Sequence, residues 1–447
     1  MRAIFTLIDR QRFKIQFSLS LILLSTLTNN HAYNFHYYNY SQMTDFLHDI
    51  ANRYSSKAAL YEIGKTQGGR SLWAIALSSY APNKHILLRP EVKYIGNMHG
   101  NEIIGLQLLL YLIEYLLTSN DNQVIELMSR SRIWIMPSMN PDGLALSQYG
   151  DCSTTTGRFT LNNIDLNRDF PDYLGAQLSS SMRTLETNAI ISWLRDVPFV
   201  LSANFHGGAF IINIPYDRYY VGKISISSDD DIYQTIARSY ANRILGTKRY
   251  CNLKNDEIGT VIRGADWYEI IGSMQDYGYL NYGTIEMTME ISCCKYPNYN
   301  LLFSYWNYNR DAMIELLFQA QRDKLLVLGV KGLVLNEYHQ PIPFTQIMID
   351  NRRPVVNVTP LGEFWRILLP GIYTLKVFYR GYEIYRQQIV INNSYVPSNL
   401  NIIIPQLTYI HYTNRPIQLL SPFMTNSAYS TSVSYVLFFL CLIFVEN

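Results

Sequence analysis

A chain of 447 residues, 48% of them hydrophobic and 16% charged, can bury a large core and has room for two or three domains. Its formal charge of +2 is close to balance and gives no basic surface of the kind that nucleic acid requires.

The first 32 residues read as a secretory signal peptide. Arg2, Arg10, Arg12 and Lys14 form a basic lead, residues 17–27 are apolar, and small or polar residues run on to Ala32. The apolar stretch is short for a bilayer span. From residue 35 to 325, strand-like and helix-like segments alternate. Residues 92–96 predict a short strand that delivers His99, and residues 103–117, apolar nearly all round, predict a buried helix. Residues 132–136 predict a second strand, followed by a turn at Asn140-Pro141-Asp142-Gly143. Residues 199–204 predict a strand ahead of His206, and residues 283–289 one ahead of Glu290. The alternation argues an α/β domain with a mixed, mostly parallel sheet flanked by helices. His99, His206 and Glu290 then fall just past strand C-termini, the edge at which open α/β sheets bind ligands.

Near Lys324 the texture changes. Short alternating strands at 329–335, 347–350, 364–368, 373–379 and 388–391 predict a small β-sandwich over residues 326–406. Residues 407–432 read as a polar stalk. Residues 433–447 form a hydrophobic tail too short for a span and without basic stop-transfer residues. Asn426, Ser427 and Ala428 precede it, so the tail is expected to be a glycolipid-anchor signal that places the protein on the extracellular face of the plasma membrane. Four cysteines lie outside the tail: Cys152, Cys251, Cys293 and Cys294. In an exported chain they predict two disulfides; neighbouring Cys293 and Cys294 can hardly pair together, so each is expected to reach Cys152 or Cys251. Asn39, Asn357 and Asn392 sit in acceptor triplets for N-glycans.

The chemistry gathers around His99-Gly100-Asn101-Glu102 and the distant His206. Two imidazoles and a carboxylate close three sides of a tetrahedral zinc site and leave the fourth for water. Asp165 is placed to accept the outer N–H of a metal-bound histidine and fix its tautomer. Arg168 can clamp a carboxylate in two-pronged fashion, and Arg158 offers a second guanidinium. Glu290, at a strand end, suits a general base. His36, His48 and His85 lie in no comparable context and read as surface or satisfied core residues.

At this point the sequence resembles the metallocarboxypeptidases related to carboxypeptidase A, in particular their regulatory branch. The matching stretches are His99-Gly100-Asn101-Glu102, Gly157-Arg158, Asp165-Leu166-Asn167-Arg168, Asn204-Phe205-His206-Gly207-Gly208, Trp267-Tyr268, Gly272-Ser273-Met274-Gln275-Asp276-Tyr277 and Glu290-Ile291-Ser292-Cys293-Cys294. The resemblance implies one zinc ion per chain on His99, Glu102 and His206, with zinc-bound water activated by Glu290. It implies that Arg158 steadies the oxyanion and that Asn167, Arg168 and Tyr268 hold the substrate's terminal carboxylate. Asp217 and Gln275 are implied to form a pocket for a C-terminal Arg or Lys of a peptide or protein substrate. It further implies a transthyretin-like β-sandwich, where Phe364-Trp365-Arg366 and Pro370-Gly371-Ile372-Tyr373 match, and disulfides Cys251–Cys293 and Cys152–Cys294. Two departures stand out. Asp169 replaces the asparagine that usually follows the Asn-Arg pair and is expected to weaken the carboxylate clamp, and the short segment between Cys152 and Arg158 strains the case for the Cys152 bridge. The rival readings are a non-catalytic binding module and an enzyme for apolar C-termini.

Overall fold

The computed structural model describes residues 35–172, 182–219, 224–244, 251, 260–320, 328–392 and 398–405. The expected signal peptide, stalk and hydrophobic tail lie outside the described residues.

An eight-stranded mixed sheet forms the body, in the order β1-β2-β4-β3-β5-β8-β6-β7. Its outer strands are β1 (Ala58–Lys65), at one edge, with β2 (Ser71–Leu77) beside it, and β7 (Thr260–Arg263), at the other, with β6 (Ile211–Ile214) beside it. Its centre is the parallel set β4 (Arg132–Met136), β3 (Glu91–Gly96), β5 (Phe199–His206) and β8 (Ile285–Glu290). These central strands are buried on both faces, and their polar positions, such as Lys93, Asn204 and Glu286, are buried with the apolar ones. One face packs against α1 (Tyr40–Arg53), α2 (Ile103–Thr118), α3 (Asn122–Arg130), α6 (Asp230–Ala241) and α9 (Leu302–Phe318), while a four-residue α7 (Gly264–Trp267) directly follows β7. The other packs against α5 (Leu185–Asp196) and α8 (Met274–Tyr282). Helix α2 is buried on nearly every side, and among the described residues no single helix is long and apolar enough to cross a membrane.

Three expectations shift. Asn140-Pro141-Asp142-Gly143 does not stop at a turn: Asn140 caps a short helix, α4 (Pro141–Leu146), by accepting from the Gly143 N–H at 2.8 Å. Gly283 is not part of a strand but ends α8 in the left-handed region, at φ 72°. His206 and Glu290 are the last residues of β5 and β8 and lie opposite each other in the pairing, rather than just past the strands.

Residues beyond 327 form two further sheets. One has the order β11-β10-β13-β14 and the other β12-β9-β15. Their strands are β9 (Leu328–Asn336), β10 (Thr345–Ile349), β11 (Val356–Asn357), β12 (Glu363–Leu368), β13 (Gly371–Tyr379), β14 (Tyr382–Ile391) and β15 (Ser398–Ile404). Apolar side chains of both sheets, Val334 and Phe364 from one and Ile347 and Val377 from the other, join a single core.

Charged groups rivet these sheets to the α/β body. Asp229, fully buried ahead of α6, lies 2.5 Å from Arg366 and 2.9 Å from Arg352. His85 sits between Glu91 of β3 at 2.8 Å and Glu363 of β12 at 2.9 Å. Hydrogen bonds to Glu363 and Glu91 push the imidazole up to about 9, against the penalty of burial. Because its folded pKa lies above the ordinary 6.5, its stabilisation is complete below pH 6.5 and is lost as pH rises through about 9. Thermal unfolding is expected to move to lower temperature across that window, and His85→Gln is expected to flatten the fall while removing on the order of 2 kcal/mol at the acid end. A variant with the wild-type pH profile would contradict the assignment.

Candidate active site

The turn from β3 into α2 carries the first two site residues. Asn97 takes the left-handed region at φ 53° and donates to the carbonyls of His99 at 3.1 Å and Gly100 at 2.8 Å, while Ser138 donates to its Oδ1 at 2.7 Å. A Cβ on Gly100 would meet the Leu144 nitrogen at 2.2 Å, so glycine is required where this turn packs against α4. The turn aims His99 and Glu102 at His206, which arrives from β5. All three are 2–3% exposed.

Their facing atoms form a tight triangle. His206 Nδ1 is 3.1 Å from His99 Nδ1 and 2.9 Å from Glu102 Oε2, and His99 Nδ1 is 3.1 Å from Glu102 Oε2. Zinc bonds of ~2.0–2.1 Å in a tetrahedron set ligand atoms ~3.3–3.4 Å apart, so the ion is accommodated by slight outward movement. Among the described residues this is the one group of three or more His, Cys, Asp or Glu donors with such spacing. The donor set of two imidazoles, one carboxylate and an open side fits a catalytic zinc.

Both imidazoles are held from behind. His99 Nε2 lies 3.0 Å from Asp165 Oδ1. Against the penalty of burial, His99, Arg158 and Arg168 hold the Asp165 carboxyl well below its ordinary range. Sequence reasoning missed the corresponding partner of His206, the Asn204 amide, whose nitrogen is 2.7 Å from His206 Nε2. An imidazole that turns Nδ1 to a metal carries its proton on Nε2 and needs an acceptor there. A half-turn of the amide supplies one, and it also relieves Asn204 Oδ1, which is buried without a partner. The strand period held the clue: Asn204 is two residues before His206 and shares its face.

A cavity of about 160 Å³ opens beside the triangle. Glu290, Arg158, Asn167, Arg168, Asp217 and Tyr268 line it together with His99, Glu102 and His206. Burial pushes Glu290 up to about 7, with His206, Arg158 and Lys295 pulling the other way, and its Oε2 is buried with no partner. Arg158 donates to Asp165 Oδ2 at 2.9 Å and to Glu102 Oε1 at 3.3 Å. Asn167 and Arg168 lie on a one-turn 3-10 helix (Leu166–Arg168) capped by Asp165. Tyr268 is half exposed at the rim. Asp217 is 2% exposed with Oδ1 unpartnered, and burial raises its pKa. A Cβ on Gly264 would lie 1.8 Å from that oxygen, so the wall beside it has to be glycine. Gln275 does not line the cavity; it stands behind Asn213, to which it donates at 3.1 Å, and its Oε1 is also unpartnered. Asp276, unassigned from the sequence, accepts from the backbone N–H groups of Asp217 at 3.0 Å and Arg218 at 3.2 Å and so fixes where Asp217 sits.

The two departures have a structural setting. The Asp169 carboxylate is directed into hydrogen bonds with Thr184 at the head of α5, from the N–H at 2.9 Å and the hydroxyl at 2.8 Å, and its charge is used there. The bridges Cys152–Cys294 and Cys251–Cys293 both form, with Cα atoms 4.3 and 5.1 Å apart. They fasten the segment that directly follows Glu290.

Residues 43–312 match the sequence profile of the zinc carboxypeptidase family. The chain is 36% identical over 433 residues to carboxypeptidase M of Mus musculus, a match covering 93% of this chain and 96% of that protein. It is 40% identical over 361 residues to carboxypeptidase D of the same organism, covering 78% of this chain but only 26% of that longer protein. Among solved structures, carboxypeptidase A from Helicoverpa armigera superposes with a TM-score of 0.53 at 16% identity, covering 69% of this chain and 80% of that one. Thrombin activatable fibrinolysis inhibitor superposes with a TM-score of 0.51 at 17% identity, covering 65% and 76%. These likenesses give the body a carboxypeptidase A-like α/β fold. The chain belongs to the zinc carboxypeptidase family and is a metallocarboxypeptidase.

Proposed function

We propose that this enzyme removes a C-terminal arginine or lysine from peptides and proteins. One observation carries the specificity: a buried carboxylate, Asp217, lines the cavity, and its Oδ1 has no hydrogen-bond partner. A guanidinium brings five N–H groups and an ammonium three, whereas an apolar side chain leaves that acceptor unmet, at ~1–3 kcal/mol.

When bound by His99, Glu102 and His206, zinc supplies a Lewis acid that polarises the scissile carbonyl and acidifies water. Glu290 takes the proton of the attacking water and returns it to the leaving amine. Arg158 donates to the carbonyl oxygen as negative charge develops on it. Asn167 and Arg168 clamp the terminal carboxylate and Tyr268 closes over it, so that only the last residue is cut. Asp165 and Asn204 fix the tautomers of the two imidazoles.

The same reading treats residues 35–325 as the catalytic domain and 326–406 as a transthyretin-like sandwich, a division supported by the change to two small sheets. Export through residues 1–32, a glycolipid anchor signalled by residues 433–447 and glycans on Asn39, Asn357 and Asn392 complete it; the three asparagines are all exposed.

Peptides identical except for a terminal Arg, Lys, Phe or Glu test the proposal, assayed with and without added zinc. Release of Arg and Lys is expected to exceed that of Phe and Glu by about 100-fold or more in kcat/KM. Comparable rates on Phe would overturn the basic preference. For the outer partners, Asn204→Leu is expected to weaken zinc binding about 10–100-fold in competition with a chelator, and Asn204→Asp, which keeps the acceptor, to restore most of it.

A further inference from the structure

Three successive residues at the head of α8 each hold a different residue of the catalytic cavity. The Met274 N–H donates to Asn167 Oδ1 at 3.1 Å, and the Gln275 amide donates to Asn213 Oδ1 at 3.1 Å. The Asp276 carboxylate accepts from the N–H groups of Asp217 at 3.0 Å and Arg218 at 3.2 Å. Asn167, Asn213 and Asp217 all line the cavity, whereas the three residues of α8 stand behind it and are at most 5% exposed. Ser273 caps the turn by accepting the Asp276 N–H at 3.2 Å.

Two distant parts of the site are thereby tied to one helical turn. At the carboxylate clamp, Met274 engages the oxygen of the Asn167 amide and leaves its NH2 group for a substrate. Arg168 is held close by as well: a Cβ on Gly272 would meet the Arg168 carbonyl oxygen at 2.6 Å, and the Phe170 N–H donates to the Gly272 carbonyl at 3.1 Å. At the acid, Asp217 is gripped at both backbone groups. Its N–H goes to Asp276, and its carbonyl accepts from the Ile270 N–H at 2.9 Å. Arg218 beside it is paired with Asp172. Met274 and Asp276 are only about 3 Å apart along the helix axis. Clamp and acid therefore share one buried, capped element instead of riding on two independent loops.

We infer that Asp276 is a positioning residue for specificity: by fixing Asp217 relative to Asn167 and Arg168, it makes the site measure the length of the basic side chain as well as its charge. The inference rests on the roles proposed above for Asn167, Arg168 and Asp217. A substrate pinned at its terminal carboxylate meets the acid only with a side chain of matching length, and a misplacement of about 1 Å can cost on the order of 10²-fold in rate.

Peptides ending in lysine and in ornithine, which carries the same charge on a side chain one methylene shorter, read out length alone. The wild type is expected to favour lysine by about tenfold or more in kcat/KM. Asp276→Ala strips the acceptor from two backbone N–H groups. The lysine-to-ornithine ratio is then expected to fall below about threefold, through a raised KM on lysine, while zinc content and slow cleavage of a peptide ending in Phe hold within a few-fold. Asp276→Asn keeps the shape and one oxygen acceptor and is expected to give an intermediate ratio. In an Asp217→Asn background, Asp276→Ala is expected to change lysine cleavage little further, because it acts through Asp217. A wild-type ratio near one, a ratio unchanged in both variants (or in Asp276→Asn alone, should Asp276→Ala lose its zinc), full additivity with Asp217→Asn, or equal losses on Lys and Phe would each defeat the inference and leave the preference for basic termini standing. A wild type that cuts Phe as fast as Lys would instead remove the reading on which it rests.

Discussion

Glu290→Gln is expected to hold zinc as the wild type does and to lose about 10²–10⁴-fold in kcat on a peptide ending in arginine. The amide fills the same volume at the end of β8, opposite His206, so the fold and the metal triangle have no reason to change. What it removes is a proton acceptor. Glu290 Oε2 is buried and unpartnered, so in the proposed mechanism no other protein group competes for the proton drawn from water. Its burial raises the carboxyl toward 7, which also lets it give the proton up again to the departing amine. Zinc content measured beside single-turnover rates separates the two roles. A variant that keeps both metal and turnover would remove Glu290 from the mechanism, and one that loses the metal would make it structural.

Asp217→Asn is expected to change which substrates are cut rather than whether any are. On Arg and Lys termini kcat/KM is expected to fall about 10³–10⁴-fold, while slow cleavage of Phe stays within a few-fold. The asymmetry follows from the site. The carboxylate is 2% exposed, Gly264 crowds it, and Asp276 fixes its backbone, so it cannot swing away to meet water. Removing the charge strands an incoming guanidinium in a buried pocket, a larger penalty than an exposed ion pair would suggest. Burial and the charge of Asp217 both raise the Asp276 pKa, so the substitution also eases the ionisation of Asp276. Equal losses on basic and apolar substrates would mean that Asp217 supports the wall of the site and does not read the side chain.

Much of this site is legible in the sequence because its chemistry needs few residue types at fixed places. A His and a Glu three apart after a strand, a second His at another strand end and a late Glu lie far apart in the chain, and parallel strand pairing brings them to one edge. Residues that act through others left weaker marks. Asn204 and Asp276 are polar positions in apolar surroundings, and only their partners explain them. Lys93 and Glu286 form a fully buried pair at 3.1 Å joined by Ser202, although their strands give no hint of an ion pair 193 residues apart. Local signals also failed where one chemistry serves two structures. Asn-Pro-Asp-Gly suits a turn, yet asparagine ahead of proline also starts a helix, and packing against Gly100 selects the helix. Gly283 looked like the start of a strand because its freedom at positive φ, which ends α8, cannot be told from sequence alone.

The riveting of Asp229 bears on how the chain can be cut. Its carboxylate accepts from the Tyr279 hydroxyl of the body at 3.0 Å and is neutralised by Arg352 and Arg366 from beyond the junction. A recombinant fragment ending near residue 320 would keep every residue of the proposed site but leave this acid beside Tyr279 with both countercharges gone. The terminal sheets thus act toward the body as a permanently tethered subunit, and an engineer wanting a minimal protease has either to retain them or to redesign Asp229 as a neutral residue first.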